Sequence, residues 1–234
     1  MSTNKELNSL NQKIVYNLTK FTTTDYAGHL SCVVWLVKCN FRCLYCYNDD
    51  LVFAKEGEKS LNEILDFLKT RVGLLDAVVI SGGEATQHNL IEFCKEVKAL
   101  GFKIKLDTNG TDKKQIEELI SLNLLDYMAI DFKAQKEKFI EITKSNKYNE
   151  FIQTITYLIN IDFPFELRTT INSNLLNEED INKMILILKD LGYKNTYYLQ
   201  NFLETQSNIG GITQGRLINK NMIDSKDLNI QWRN

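Results

Sequence analysis

Short apolar runs recur along the chain and predict the strands of a sheet. Residues 14–22 and 31–37 are rich in β-branched and aromatic residues, and Tyr26-Ala27-Gly28 between them has turn chemistry. Ala77-Val78-Val79-Ile80 is a continuous apolar run, which is typical of a buried strand in a parallel sheet. Further strands are predicted over residues 102–106, 127–130, 165–171 and 196–199.

Apolar residues at helical spacing separate these strands. Ser60 and Glu63 predict a capping box at the start of the first helix. Its apolar face is predicted to be Leu61, Ile64, Leu65, Leu68 and Val72. The later helices have predicted faces of Leu90, Ile91, Cys94 and Val97; Ile116, Leu119 and Ile120; Phe151, Ile152, Ile155, Leu158 and Ile159; and Ile181, Met184, Ile185 and Leu188, with Gly192 closing the last.

This alternation predicts an α/β fold with a parallel sheet and right-handed crossovers. Six strand–helix steps are fewer than the eight of a closed barrel, so we expect a partial (β/α)6 barrel with an N-terminal strand extension. We predict a single domain overall, with residues 1–30 as the extension, 31–204 as the core and 205–234 as a C-terminal tail. The pattern assigns no element to that tail.

Three cysteines lie within eight residues, in Cys39-Asn40-Phe41-Arg42-Cys43-Leu44-Tyr45-Cys46. Thiolates this close together on an irregular loop can hold an iron–sulfur cluster. A cubane cluster usually takes four cysteines, so three leave one iron open, and open metal positions are where substrates bind.

Other interpretations of these thiols remain open. A zinc site would take its fourth ligand from His29, Cys32 or His88, and the cysteines can also be inert. Disulfides are disfavoured because nothing marks the chain as secreted. We predict that Cys32 and Cys94 are small core residues. For the two histidines we predict structural or exposed positions.

The composition argues against nucleic acid and membranes as partners. A net charge of −2 provides no basic field to attract nucleic acid or an acidic membrane. No apolar run reaches the ~18 residues of a membrane helix. The polar segment from Met1 to Gln12 has no apolar signal core. We therefore expect a cytoplasmic protein, and a low-oxygen setting if a cluster is present.

Polar and glycine residues follow the predicted strands at the same end each time. In parallel α/β folds this end carries the site. Each residue alone has a simpler interpretation, as a turn, a helix-start charge or a surface ion pair. Together they predict one site, built from Ser81-Gly82-Gly83-Glu84, Asp107-Thr108-Asn109-Gly110, Asp131-Phe132-Lys133, Arg168 and Gln200.

From about Lys20 to Phe202 the chain resembles the radical S-adenosylmethionine (SAM) enzymes. Cys39, Cys43 and Cys46 match the cluster cysteines of that family. Tyr45 matches the aromatic residue whose backbone lies near the SAM adenine, and Ser81-Gly82-Gly83-Glu84 matches the motif that holds the SAM amino group. The resemblance implies a radical SAM barrel with two cofactors, a [4Fe–4S] cluster with one open iron and SAM.

Narrower features resemble the activases of glycyl radical enzymes. In Leu106-Asp107-Thr108-Asn109-Gly110 and Asp126-Tyr127-Met128-Ala129-Ile130-Asp131-Phe132-Lys133, the resemblance makes Asp107 and Asp131 ligands of a monovalent cation. It places Asp107, Thr108, Lys133, Arg168 and Gln200 among the cofactor-binding residues. Phe21-Thr22-Thr23-Thr24-Asp25-Tyr26-Ala27-Gly28 and Tyr197-Tyr198-Leu199-Gln200-Asn201-Phe202 resemble activating proteins of anaerobic ribonucleoside-triphosphate reductase. Ala27 and Ala85 stand where those families usually carry proline.

The resemblance implies reductive cleavage of SAM to a 5′-deoxyadenosyl radical, which installs a glycyl radical on a partner enzyme. The implied partner is anaerobic ribonucleotide reductase, and the implied reductant is a flavodoxin or ferredoxin. Two enzymatic alternatives are a pyruvate formate-lyase type activase and a radical SAM enzyme acting on a small purine-like molecule or a peptide. Non-enzymatic alternatives are an iron–sulfur or zinc interaction module and a scaffold with a vestigial cluster.

Overall fold

The computed structural model describes residues 9–233 of the chain. Residues 1–8 of the predicted N-terminal extension and residue 234 of the predicted tail lie outside this range. The strands are β1 (Lys13–Thr22), β2 (Ser31–Leu36), β3 (Lys59–Ser60), β4 (Ala77–Gly82), β5 (Lys103–Thr108), β6 (Tyr127–Asp131), β7 (Phe165–Ile171), β8 (Tyr197–Asn201) and β9 (Ile230–Arg233). The helices are α1 (Asp49–Phe53), α2 (Leu61–Lys69), α3 (Ile91–Ala99), α4 (Lys113–Ser121), α5 (Lys136–Thr143), α6 (Tyr148–Asn160) and α7 (Glu178–Asp190), with 3-10 helices at Ala85–Gln87 and Lys220–Met222.

The chain divides into two compact units that are interleaved in sequence. The first unit comprises the described residues up to Asn40, together with Asp50–Thr108 and Asp112–Met128. The second comprises Phe41–Asp49, Asn109–Thr111 and the residues from Ala129 onward. The predicted boundaries after residues 30 and 204 stay a prediction.

In the first unit the strand order is β3-β1-β2-β4-β5. β1 pairs antiparallel with β2 and β3, whereas β2, β4 and β5 are parallel. In the β2–β4 register Leu36 lies opposite Gly82, so the last residue of β4 lies beside the point where the chain leaves β2. Tyr26, Val33 and Val79 belong to an apolar core cluster against which Trp35 packs.

In the second unit, where β6 ends, the strand order is β6-β7-β8-β9. β8 pairs parallel with both β7 and β9. Four aromatic residues fill the core of this unit. Phe41 meets Phe139 edge-on at 5.6 Å, and Phe132 lies 5.0 Å from Phe151 between ring centroids. Because Phe41 lies between the first two cysteines of the motif, this cluster fixes one end of the cysteine segment.

The predicted order of strands and helices is confirmed, and so are several local details. Ser60 and Glu63 form both hydrogen bonds of the capping box. Gly192 follows α7 with φ +79, a left-handed conformation that glycine adopts without strain. Val72, however, was wrongly predicted on the buried face of α2. The helix ends at Lys69, and Val72 lies beyond it, 54% exposed.

The sequence pattern missed α1, α5, β3 and β9. Helix α5 buries Phe139, Ile142 and Thr143 but leaves Ile140 60% exposed, so its apolar periodicity is weak. Strand β9 has no apolar run and is held by tertiary contacts instead. The Arg233 guanidinium lies 3.4 Å from the Tyr198 ring centroid and pairs with Glu166. Among residues 9–233, no helix has the length and apolarity needed to span a bilayer.

Candidate functional site

Gly82 and Gly83 lie where the backbone of β4 passes very close to the residues that follow β2. A Cβ at Gly83 would lie 2.0 Å from the Lys38 carbonyl oxygen and 3.2 Å from the Cys39 Cβ. Gly82 has φ +132, and a Cβ there would lie 2.3 Å from the Leu36 carbonyl oxygen. Only bare backbone fits at these positions, which lie directly beside the first cysteine of the motif.

Glu84 is a buried carboxylate in an oriented position. Its Oε1 atom accepts hydrogen bonds from the Thr86 N–H at 3.1 Å, the Thr86 hydroxyl at 2.7 Å and the Thr108 hydroxyl at 2.6 Å. The Glu84 N–H donates to the Lys38 carbonyl oxygen at 2.8 Å. The first unit therefore brings together the Gly-Gly-Glu motif, Thr108 at the end of β5 and the residue before Cys39.

Asp107 lies within β5 rather than after it, so the strand is longer than predicted. Its carboxylate pairs with the Lys105 ammonium at 2.9 Å, and that ammonium also donates to the main-chain oxygen of Asp25 at 2.7 Å. Lys105 is only 4% exposed and was missed from the sequence. Lys105 and Asp107 are two residues apart on a strand and therefore share one face of the sheet. This spacing is the feature of the sequence that could have indicated their ion pair.

The residues considered as a fourth zinc ligand have other roles. Cys32 is fully buried, and burial raises the pKa of its thiol to about 12. His88 contacts the Val37 carbonyl oxygen through Nε2 at 2.7 Å. His29 stacks on Tyr26 with ring centroids 4.3 Å apart. The predicted core positions of Cys32 and Cys94 are confirmed, since both are fully buried, and both histidines have structural contacts.

Cys43 and Cys46 lie in the second unit on a compact segment. The Cys46 N–H donates to the Cys43 carbonyl oxygen at 2.9 Å. Burial raises the pKa of Cys43 to about 11, although the charge of Lys133 lowers it in part. Burial likewise raises the pKa of Cys46. Because thiolates bind metal, loading these residues requires the release of their protons.

Asp131 lies between two cations in the second unit. Its carboxylate accepts from the Lys133 ammonium at 3.0 Å and from the Arg168 Nε at 2.9 Å. Burial would raise the pKa of Asp131, but Arg168 and then Lys133 outweigh it and lower the pKa to about 2. The Lys133 ammonium also lies 5.5 Å from the centroid of the buried Tyr45 ring. The structure therefore brings together four of the predicted site residues, with Cys43 electrostatically coupled to Lys133.

Two further predicted residues, Ser81 and Gln200, lie within strands. Ser81 is buried opposite Trp35. Gln200, half-buried, lies between Thr170 of β7 and Arg233 of β9. The five cysteines are free thiols, so no disulfide competes for the motif. Across residues 9–233, no three His, Cys, Asp or Glu side chains are gathered closely enough to hold a metal ion as they stand. A ligand role for the cysteines thus depends on their chemistry and spacing.

Comparison with known proteins decides the family. The model of the radical SAM superfamily matches residues 33–191, which is more than half of the chain. The chain belongs to the radical SAM superfamily. The cysteine motif, the Gly-Gly-Glu motif and the strand ends described above all lie within the matched residues.

Relatives of this radical SAM enzyme include two predicted glycyl-radical enzyme activating enzymes of Methanocaldococcus jannaschii. One is 35% identical over 81% of this chain and 80% of its own length. The other is 33% identical over 69% of this chain and 65% of its own length. Among solved structures, Streptococcus suis SuiB bound to S-adenosylmethionine matches 86% of the chain at 14% identity with a TM-score of 0.70. The chain spans half the length of SuiB, so this likeness concerns the fold alone.

The likeness confirms the predicted fold class, a partial radical SAM barrel with α/β architecture. Membership implies a [4Fe–4S] cluster and SAM, and the residues present fit both groups. Free cysteine thiols are the ligands that iron–sulfur clusters take. The backbone of Gly82 and Gly83 packs directly beside the residues that lead into Cys39, and the buried Glu84 carboxylate that follows is an acceptor suited to an ammonium group.

Proposed function

We propose that this radical SAM enzyme is an activase that installs a glycyl radical on a partner enzyme. The observation that carries the proposal is the 35% identity to a predicted glycyl-radical enzyme activating enzyme, spanning about four fifths of both chains. The likeness is not confined to the cluster motif. It therefore includes the strand ends, where subfamilies of one fold differ in their chemistry.

Cys39, Cys43 and Cys46 are the proposed ligands of the [4Fe–4S] cluster, on the basis of their spacing and free thiols. When bound and reduced, the cluster would supply the single electron for reductive cleavage of bound SAM, the chemistry needed to remove a hydrogen atom from the Cα of a glycine in the partner. The chain itself moves no proton in this reaction. Its residues bind SAM, orient it and keep competing hydrogen donors away.

In the first unit, Ser81, Gly82, Gly83 and Glu84 are the proposed contacts of the SAM amino group. The close approach at Gly83 supports this assignment, because it holds the motif directly beside Cys39, the first of the proposed cluster ligands. The hydroxyl of Thr108 orients the Glu84 carboxylate through a 2.6 Å hydrogen bond. An oriented anion is suited to bind an ammonium group.

In the second unit, Tyr45, Lys133, Arg168 and Gln200 are the proposed contacts of the remaining parts of SAM. Lys133 and Arg168 provide fixed positive charge, which is the chemistry that recognises a carboxylate. Asp131 is a proposed ligand of a monovalent cation, as the activase resemblance implies, and so is Asp107 in the first unit. Each carboxylate is already ion-paired within its own unit, Asp107 with Lys105 and Asp131 with Lys133 and Arg168, so a bound cation would compete with these pairs.

The proposed partner is an anaerobic ribonucleotide reductase, and the proposed electron donor is a flavodoxin or ferredoxin. The segments Phe21–Gly28 and Tyr197–Phe202, which resemble activators of that reductase, support this choice. Tyr197 is fully buried, and its hydroxyl contacts the Thr169 hydroxyl at 2.5 Å. This segment therefore also has a structural role in holding β8 against β7.

The test compares the wild type with Cys43→Ala and with Cys94→Ala, a buried cysteine outside the motif. We expect about four irons per chain in the wild type and in Cys94→Ala, and loss of iron and of SAM cleavage in Cys43→Ala. Anaerobic incubation with SAM, a reductant and an anaerobic ribonucleotide reductase should produce a glycyl radical detectable by electron paramagnetic resonance.

The outcomes separate the alternatives. Iron and 5′-deoxyadenosine without a glycyl radical would refute the partner and point to a smaller substrate. One zinc and no iron would refute the enzyme and favour an interaction module. Iron without 5′-deoxyadenosine would indicate a vestigial cluster.

A further inference from the structure

The segment between β8 and β9 reaches back to the cysteine segment of the second unit. The Ile209 N–H donates to the Cys46 carbonyl oxygen at 2.9 Å, and the Gly210 N–H donates to the Leu44 carbonyl oxygen at 2.8 Å. The two acceptors flank Tyr45. We call residues 208–212 the tail turn. It lies in the predicted tail, to which the sequence pattern assigned no element.

The backbone of the tail turn lies so close to the cysteine segment that there is no space for a side chain at Gly210. A Cβ at Gly210 would lie 2.8 Å from both the Cβ and the carbonyl oxygen of Leu44, and 3.0 Å from its Cα. These are atoms of or next to the main chain, so rotation of a side chain cannot relieve the overlap. At Gly211, by contrast, an added Cβ would meet no atom within 4 Å, but its φ of +59 is a left-handed conformation that favours glycine.

The tail turn has internal support. The side chain of Asn208 accepts from the Ile212 N–H and donates to the Ile212 carbonyl oxygen, both at 2.8 Å. The Gly211 N–H donates to the Asn208 carbonyl oxygen at 3.1 Å. These bonds close the turn and direct the N–H groups of residues 209 and 210 toward the cysteine segment.

The same stretch of tail is fastened to the rest of the second unit. The Asn172 side chain donates to the Thr213 carbonyl oxygen at 2.9 Å. Arg216 forms a two-point ion pair with Glu178 at the start of α7, at 2.5 and 2.6 Å. Residues just after the tail turn are therefore held to the rest of the second unit. These contacts restrict the movement of the tail turn, and hence of the cysteine segment that it contacts.

Helix α5 supports the cysteine segment through a different set of groups. The Arg42 N–H donates to the Thr143 carbonyl oxygen and the Leu44 N–H to the Ile142 carbonyl oxygen, each at 2.9 Å. Carbonyl groups in the last turn of a helix lack partners within the helix, so they are available for such bonds. Two N–H groups of the segment, those of Arg42 and Leu44, are thus held by α5, and two of its carbonyl groups, those of Leu44 and Cys46, are held by the tail turn.

We propose that the tail turn is a positioning element for the cluster ligand Cys46, and that it slows loss of the cluster. The inference rests on the proposed ligand role of the cysteines. A ligand on an irregular loop holds its metal only as firmly as the surrounding groups hold the loop. Here two backbone hydrogen bonds fix the path of the chain on both sides of Tyr45.

The test uses anaerobically loaded full-length protein and measures iron release to a chelator over time. Gly210→Ala forces the turn away from Leu44 and weakens both hydrogen bonds. We expect iron release about tenfold faster than in the wild type, since each such bond contributes several-fold to an equilibrium. Ile209→Pro removes one of the two N–H donors, so its rate of iron release should lie between those of the wild type and Gly210→Ala. Thr213→Ala is the control, because Thr213 is exposed and alanine keeps the carbonyl oxygen that accepts from Asn172, and it should release iron at the wild-type rate.

A second measurement does not depend on iron. Hydrogen exchange of the apoprotein should show protected amides at residues 209 and 210 in the wild type, and faster exchange there in Gly210→Ala. Helix α6 should exchange equally in both proteins, which separates local loosening from failure to fold. Equal iron release from Gly210→Ala and Thr213→Ala would overturn the proposal. Failure of the wild type to load any iron would instead refute the proposed function, whatever the exchange data show.

Discussion

Replacement of Gly83 by alanine tests the geometry of the Gly-Gly-Glu motif directly. The new Cβ would lie 2.0 Å from the carbonyl oxygen of Lys38 and 2.6 Å from its carbonyl carbon. Gly83 does not have a positive φ, so alanine at this position brings no backbone strain of its own. The whole effect of the substitution is therefore the overlap with the residues that precede Cys39.

The size of the effect follows from that overlap. Ordinary contact begins at 3.4 Å, so the two segments must separate by about 1.4 Å. Overpacking a core typically lowers the free energy of unfolding by about 1–3 kcal/mol. We expect a value near the upper end, because the atom that the new Cβ overlaps belongs to the backbone and cannot rotate away. If the Lys38–Cys39 backbone moves instead, a shift of about 1 Å in a reacting geometry lowers a rate about 100-fold. We therefore expect both a less stable protein and slower SAM cleavage.

The assay measures 5′-deoxyadenosine formed per chain under reducing anaerobic conditions, beside urea unfolding of the apoprotein. Gly101→Ala is the control, because that glycine lies in the same unit and an added Cβ there meets no atom within 4 Å. It should lower stability only through its φ of +90 and should keep normal SAM cleavage. Wild-type cleavage and stability in Gly83→Ala would refute the close approach on which the SAM assignment depends.

Two further predictions concern charges and hydrogen bonds in the site. The folded-state pKa of Asp131, about 2 against an ordinary 3.8, contributes about 2 kcal/mol at neutral pH. The free energy of unfolding of Asp131→Asn, measured with urea at pH 7, should be lower than that of the wild type by this amount. The difference between the two proteins should shrink as pH falls from 4 towards 2, and a difference that stays constant over this range would contradict the lowered pKa of Asp131. Thr108→Val removes the hydroxyl that donates to Glu84, so SAM affinity measured by equilibrium binding should fall by about three- to tenfold, and an unchanged affinity would argue against an orienting role.

Features set by local sequence were predictable. The capping box at Ser60 and Glu63 needs only residues three apart, and the buried run from Ala77 to Ile80 needs only its own apolarity. The rule that parallel strands present their site at one end was sufficient to select Glu84 and Asp107. The structure then placed Asp107 inside its strand, because β5 continues to Thr108, past Leu106 where its apolar pattern stops.

Features set by contacts distant in sequence were not predictable. Lys105 reads as a solvent-facing lysine, yet it is buried between Asp107 and the main chain of Asp25, about eighty residues away. The prediction for Val72 was wrong because an expected local contact is missing. Its spacing fits the apolar face of α2, but the helix stops at Lys69, and spacing alone does not mark that end.

The tail turn shows why composition can mislead about a functional segment. Residues 208–212 lack apolar periodicity, and on pattern alone they are typical of a loose terminus. Their contribution lies in backbone N–H groups, which every residue except proline possesses and which therefore leave no compositional signal. The one visible sign is Gly210, since a side chain would prevent the approach to Leu44. A glycine that tolerates no Cβ, in a segment without regular structure, is thus evidence that the backbone there is needed close to something else.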